Sequence, residues 1–172
     1  MTPTYHTALS VPNGAHVTIP RHIVDNGGHI RLSTMDDVAY MAEHLRPEDK
    51  SEIKAASGLD PVEGLKVAVK SNGLVGVYDE GPWVIWGNHQ INKDLNVVWC
   101  LATTHIAKHR SAFLRISAWW LDSLEGNRIS CFTDGRNTEH HRWLDTMRFK
   151  RVDVPIHFTD PEVDFYEYSR GT

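Results

Sequence analysis

The sequence contains no apolar run near the roughly 18 residues that a membrane-crossing helix requires, so no membrane segment is expected. Its opening stretch, residues 1–16, has no basic segment leading into an apolar one, so no secretory signal is expected either. Cysteine is scarce. Cys100 and Cys131, both in apolar surroundings, are too few for a disulfide framework and are expected as reduced thiols in a reducing compartment. Neither sign of charge dominates: 18 Lys and Arg against 22 Asp and Glu give a net charge of −4. The chain therefore lacks the basic excess of a phosphate-backbone binder, and no nucleic-acid partner is expected. No internal repeat and no low-complexity run is present.

What is present suits one globular domain with an extension. The 172 residues are 41% hydrophobic, near the ordinary globular value of about 45–50%. Residues 1–28 are broken repeatedly by Pro3, Pro12, Asn13-Gly14, Pro20 and Asn26-Gly27-Gly28, leaving His16–Ile19 as a short strand candidate. They read as an N-terminal arm that could contact a partner or drape over the domain formed by residues 29–172. Eleven histidines leave the net charge sensitive below about pH 6.5.

Within that domain, His29–Leu32 reads as a strand, and Ser33-Thr34 followed by Asp36-Asp37 as a helix start with carboxylates at the positive end of the dipole. Pro47 opens a second helix that Gly58 ends, and Asp60-Pro61 opens a third. Asp79-Glu80-Gly81 joins strands 73–78 and 82–91 as a hairpin. The run 95–102, LNVVWCLA, suits a strand buried on both faces. A long helix is expected from about His105 to Leu124, with Ile106, Phe113, Ile116, Trp120 and Leu124 as its apolar stripe. Strand 128–133, a helix capped by Asn137 or Thr138, and strands 149–156 and 163–168 complete the chain. A buried strand, a long helix and another buried strand make a β-α-β crossover, which favours a parallel pair. The fold class is α+β, a mixed and mostly antiparallel sheet with helices on both faces.

This order, with the stretches NVVWCLATTHIAKHRSAFLRISAWWLDSL and RISCFTDGRNTEHHRWLDTMRFKRVD, resembles the GNAT acyl-CoA N-acyltransferase superfamily. IRLSTMDDVAYMAEHLRPEDKSEI, AFLRISAWWLDSL and Asn137 through Leu144 resemble a branch encoded by tailed bacteriophages and related to an internal virion protein of short-tailed phages. The resemblance spans about residues 29–169. It implies acetyl-CoA as cofactor, an amine-bearing acceptor or other phage or host proteins as partners, and a place in the host cytoplasm or the virion. It does not imply a metal.

In that superfamily a glycine-containing turn before the long helix holds the CoA pyrophosphate on backbone N–H groups. The corresponding turn, residues 103–112, has no glycine. Leu101, Thr103, Lys108, His109, Arg110, Ser111 and Ala112 are the residues the resemblance places along the CoA arm and phosphates, with Asn137 approaching the arm from the closing helix. Lys108, His109 and Arg110 could equally form a solvated basic turn, and Asn137 could serve only as a helix cap. The tyrosine that commonly protonates the leaving thiolate is replaced by Leu144, and the Gly-Phe pair after it by Arg148-Phe149. His89 and Asp94 are the available bases on the strands, neither well placed. His105 and His109, four apart, share a helix face as some zinc ligands do, but no third ligand is evident. Catalysis is thus left without an assigned residue. A GNAT-derived structural or host-interaction protein that has lost activity is the alternative. Trp99, Trp120 and Trp143 are expected in the core. Trp83 and Trp86, three apart on a strand, are expected on opposite faces with one exposed.

Overall fold

The computed structural model describes residues 8–10, 16–18, 28–124 and 126–171. Most of the expected arm lies outside these residues. Within it, β1 (Ala8–Ser10) and β2 (His16–Thr18) pair as a two-stranded antiparallel ribbon.

The remaining elements form one seven-stranded sheet with helices on both faces. In chain order they are β3 (His29–Leu32), α1 (Met35–His44), α2 (Pro47–Ser57), α3 (Pro61–Lys70), β4 (Leu74–Tyr78), β5 (Gly81–Asn92) and β6 (Leu95–Ala102). A 3-10 turn (Thr104–Lys108), α4 (Arg110–Ser123), β7 (Arg128–Asp134), α5 (Thr138–Thr146), β8 (Lys150–Ile156) and β9 (Phe165–Gly171) follow. The strand order is β3-β4-β5-β6-β7-β9-β8, and β6–β7 is its one parallel pair. The helices divide by face. Val38, Met41, Leu45, Ile53, Leu65 and Ala68 of α1–α3 pack on Val75 and Ile85. Ala112, Ile116, Trp120 and Leu121 of α4, with Leu144 and Met147 of the α5 end, pack on Val84, Trp86, Val98 and Cys131.

The helix ends follow from local chemistry. Asp37 accepts hydrogen bonds from the Thr34 backbone N–H at 2.8 Å and from both terminal nitrogens of Arg31, closing the start of α1. Asp60 accepts the Val62 and Glu63 N–H groups at the start of α3. Gly58 ends α2 at φ +73°, the left-handed conformation that suits a residue without Cβ.

Two expectations are corrected. Trp83 and Trp86 are both buried, at 1% and 4% exposure. The pairing Gly76↔Val84 and Val77↔Pro82 leaves Trp83 without a partner on β4. This β-bulge breaks the period-two alternation, so both indoles enter the same core. The long helix does not begin at His105: a 3-10 turn precedes α4, with His109 at φ −116° as the joint. The Thr103 hydroxyl accepts the His105 N–H, and the His109 ring stacks on Tyr78 at 3.9 Å, which pins the chain out of α-helical continuation.

Candidate functional site

The parallel pair β6–β7 holds over only three rungs, Leu95↔Arg128, Asn96↔Ile129 and Val97↔Ser130. Beyond them the strands diverge, and the C-terminal half of β6 has an edge that β7 does not cover. At the far end of that edge the linker between α1 and α2 takes the place of a strand. The Arg46 N–H donates to Ala102 O at 3.0 Å, and the Ala102 N–H donates to Asp49 Oδ2 at 2.7 Å. Because strand groups repeat every second residue, Cys100 turns its N–H and C=O toward the same opening.

On the α4–α5 face of this edge lies a cleft of about 470 Å3. Its floor is Cys100 and Ala102, its apolar walls are Ile106, Phe113, Leu114 and Trp143, and Arg46, Arg110 and Arg142 stand around it with Glu48 and Glu139. At one lip is the N-terminus of α4. The N-cap, His109, makes no side-chain capping hydrogen bond, unlike Asn137 at α5. A helix start of this kind presents N–H groups and the positive end of the dipole to an anion.

Beneath the cleft, α2, β7 and α5 are tied by a polar network. Arg46 makes two hydrogen bonds to the Asp49 carboxylate and reaches Glu139 at 3.1 Å. Burial pushes the Asp49 carboxyl above its usual range, against the opposing hydrogen bonds from Arg46 and the Ala102 N–H. Asn137 Nδ2 donates to Glu52 at 2.8 Å, and Asn137 Oδ1 accepts the His140 N–H. His140 Nδ1 shares a hydrogen bond with Thr133 Oγ1 at 3.1 Å and lies 3.9 Å from Glu52. Burial alone would lower the imidazole, but Cys131 and the Glu52 carboxylate more than offset it and push it up to about 10. Burial also raises the Cys100 thiol well above its ordinary value, so it stays protonated at neutral pH.

Of the eight residues singled out along the CoA arm, only Arg110 lines the cleft. Leu101 packs toward the opposite face with α1–α3. Thr103 is fully buried and bonds to Trp83 O. Lys108 is exposed, 3.9 Å from Glu80. His109 stacks on Tyr78 with Glu80 at 3.8 Å; burial lowers its imidazole, with Glu80 opposing. Ser111 is exposed in the first turn of α4, and Ala112 is buried in the core. Asn137 is buried and joins its cap to Glu52.

The other candidates are dispersed. His105 and His109 do not share a face: the first hydrogen-bonds Tyr40 and the second packs on Tyr78. No cluster of three metal-ligating side chains occurs among the described residues. His89 is exposed on β5, and Asp94 lies at the end of β6 away from the cleft. Leu144 is fully buried, and Arg148 holds φ +64°, the left-handed conformation that a glycine would adopt without strain. Both cysteines are free. No helix among the described residues is long and apolar enough to cross a membrane.

Sequence reasoning missed Arg46, Asp49, Cys100, Glu139, His140, Arg142 and Trp143. Arg46-Pro47-Glu48-Asp49 carried a signal, a Pro-initiated helix with a cation just before it, but nothing local said that it would dock on β6. Arg142 stood in a quoted motif without a role, and Trp143 was expected only as a core residue.

No family model and no curated protein matches the chain. Many solved structures do. A GNAT-family acetyltransferase from Bacillus anthracis superposes with a TM-score of 0.59 at 12% identity, over 85% of this chain and 95% of that one. A GNAT-family acetyltransferase from Bacillus cereus gives 0.59 at 10% identity, over 86% and 99%. An N-acetyltransferase from Staphylococcus aureus gives 0.57 at 9% identity, over 85% and 99%. With the strand order, the single parallel pair and its divergence, these likenesses establish that the chain has the GNAT fold.

Proposed function

We propose that the chain is a bacteriophage-encoded N-acyltransferase that takes its acyl group from acetyl-CoA bound in the cleft. The observation that carries this reading is the uncapped N-terminus of α4 at the lip of a cleft built on the opened edge of β6. The residues present fit the cofactor. Arg110 and Arg142, with the first N–H groups of α4, suit its phosphates. The Cys100 backbone suits the amides of its arm, and Ile106, Phe113 and Trp143 suit the arm's methylenes. Bound there, acetyl-CoA supplies an activated acyl carbon: the amine forms a C–N bond, the C–S bond breaks, and the amine proton ends on the sulfur.

Leu144 has no proton to give, so this reading draws no acid from that turn of α5. The same feature favours a second reading, a GNAT-derived virion or host-interaction protein without catalysis. Arg148 in a left-handed conformation and the Asn137–Glu52 tie across the diverging strands support it as well.

Thermal unfolding with CoA tests the first reading. At 100 times its dissociation constant, a ligand of the folded state adds about 2.7 kcal/mol, a rise of about 5–10 °C at this chain length. No rise at millimolar CoA sinks it. A rise without acetyl transfer to any amine-bearing host or phage protein supports the second reading, which also requires mass spectrometry to find the chain in purified virions.

A further inference from the structure

The wall of the cleft contains a buried donor that the fold leaves unused. His140, in the first turn of α5, lines the cleft and is 9% exposed. Its Nδ1 is committed, sharing the hydrogen bond with Thr133 Oγ1 and lying near Glu52. Its Nε2 is buried and has no hydrogen-bond partner among the described residues. The indole nitrogens of Trp83 and Trp86 are in the same state, but neither of those residues lines the cleft. Glu52 and Cys131 favour the charged ring, so both of its nitrogens carry protons. A charged N–H left unpaired in the interior is costly, and one beside a cleft points to an acceptor on the ligand.

The position of His140 suits the inner end of that ligand. The Arg110 side chain at the lip is 72% exposed, so the cleft runs from an open cationic rim to a buried imidazolium. The parallel pair ends at Val97↔Ser130; continued by three residues, its register sets Thr133 across the gap from Cys100. Thr133 is the residue that holds the His140 ring. With the phosphates at the start of α4 and the arm's amides on the Cys100 backbone, the sulfur end of CoA is directed toward the base of the gap. His140 also precedes Leu144 by one helical turn, on the same buried face of α5.

We propose that the His140 Nε2–H is the hydrogen-bond donor to the leaving sulfur, a role for which Leu144 has no group. The proposal rests on the CoA reading above and deepens it. His140 meets the negative charge that develops on sulfur as the amine nitrogen bonds to the acyl carbon and the C–S electron pair leaves with the sulfur. The amine proton ends on the sulfur, and His140 keeps its own. A group that titrates at about 10 does not surrender its proton to a thiolate whose conjugate acid titrates at about 8.5.

Binding of the whole chain to CoA and to desulfo-CoA, in which hydrogen replaces the thiol, tests this without turnover. At about pH 9 a thiol is mostly ionised while His140 still holds its proton. By calorimetry, CoA is expected to bind about tenfold tighter than desulfo-CoA, as for one charge-assisted hydrogen bond. His140→Gln, which keeps an N–H and loses the charge, should reduce that advantage to about threefold or less. A second measurement needs no variant: in the native chain the imidazole nitrogen NMR signal of His140 should move with CoA and stay in place with desulfo-CoA. Equal affinities for the two nucleotides, an advantage unchanged in His140→Gln, or a His140 signal that responds to both or to neither overturns the inference and spares the reading beneath it. If neither nucleotide binds, both fall.

Discussion

The two halves of β6 solve the same problem in different ways. From Leu95 to Val97 the strand's outer edge is covered by β7, rung by rung. From Val98 to Ala102 that edge has lost its neighbour, and Arg46 and Asp49 cover it only at its end. The first half is ordinary sheet. The second exchanges ladder hydrogen bonds for a cleft, and one buried ion pair keeps its end from unravelling. The difference teaches that the opening of this fold is maintained by the backbone of Arg46 and the Asp49 carboxylate at the start of α2, far away in sequence, and not by β6 itself.

The hardest way to break that contrast is at Asp49. Asp49→Ala removes one of the two carboxylates on buried Arg46, leaving it Glu139, and strands the Ala102 N–H, and should cost about 2–3 kcal/mol in urea unfolding. A loss under 1 kcal/mol would mean that the open half of β6 needs no edge.

Arg142→Ala tests the cleft's charge. It should weaken CoA binding about tenfold by calorimetry, as expected for one charge-assisted contact to phosphate, and leave urea unfolding within about 0.5 kcal/mol. Unchanged affinity would remove Arg142 from the site.

His109→Asp separates binding from stability. A carboxylate at the start of α4 should weaken CoA by occupying the same N–H groups, while loss of the stacking on Tyr78 and the nearness of Glu80 offset the gain of a cap in urea unfolding. If CoA affinity rises, the helix start is not where the phosphates bind.

The network beneath the cleft also responds to pH. A folded imidazole pushed up to about 10 contributes stability that is fully present below about pH 6.5 and lost as pH rises through 10. Unfolding free energy from pH 6 to 10 should therefore decline, and less so in Glu52→Gln, which removes one of the groups holding His140 protonated. Equal slopes in the two proteins would take Glu52 out of that role.

Much of the fold was legible because its signals are local. Thr34 with Asp37, Asp60-Pro61, Gly58 and Asn137 each mark a helix end through hydrogen bonds or conformations that involve only neighbours. The run 95–102 gave β6 to the residue. The misreadings were non-local in origin. His105 through Leu124 has a continuous helical period, yet stacking of His109 on Tyr78, thirty-one residues earlier, helps set where α4 begins. Trp83 and Trp86 are three apart in sequence, but a bulge set by pairing with β4 brings them to one core.

The candidate site divides in the same way. Arg110 was legible because it lies in the segment that follows β6. Arg46, Asp49, Glu139 and Arg142 were not, because their place in the cleft depends on how α2 and α5 dock across a divergence that no single segment encodes. The sequence by itself determined the elements, their order and the crossover that makes β6 and β7 parallel, since periodicity, caps and chain connectivity are short-range properties. Only the tertiary structure decided where those strands separate and which charges meet in the gap. Each of those depends on side chains brought together by packing from distant parts of the chain.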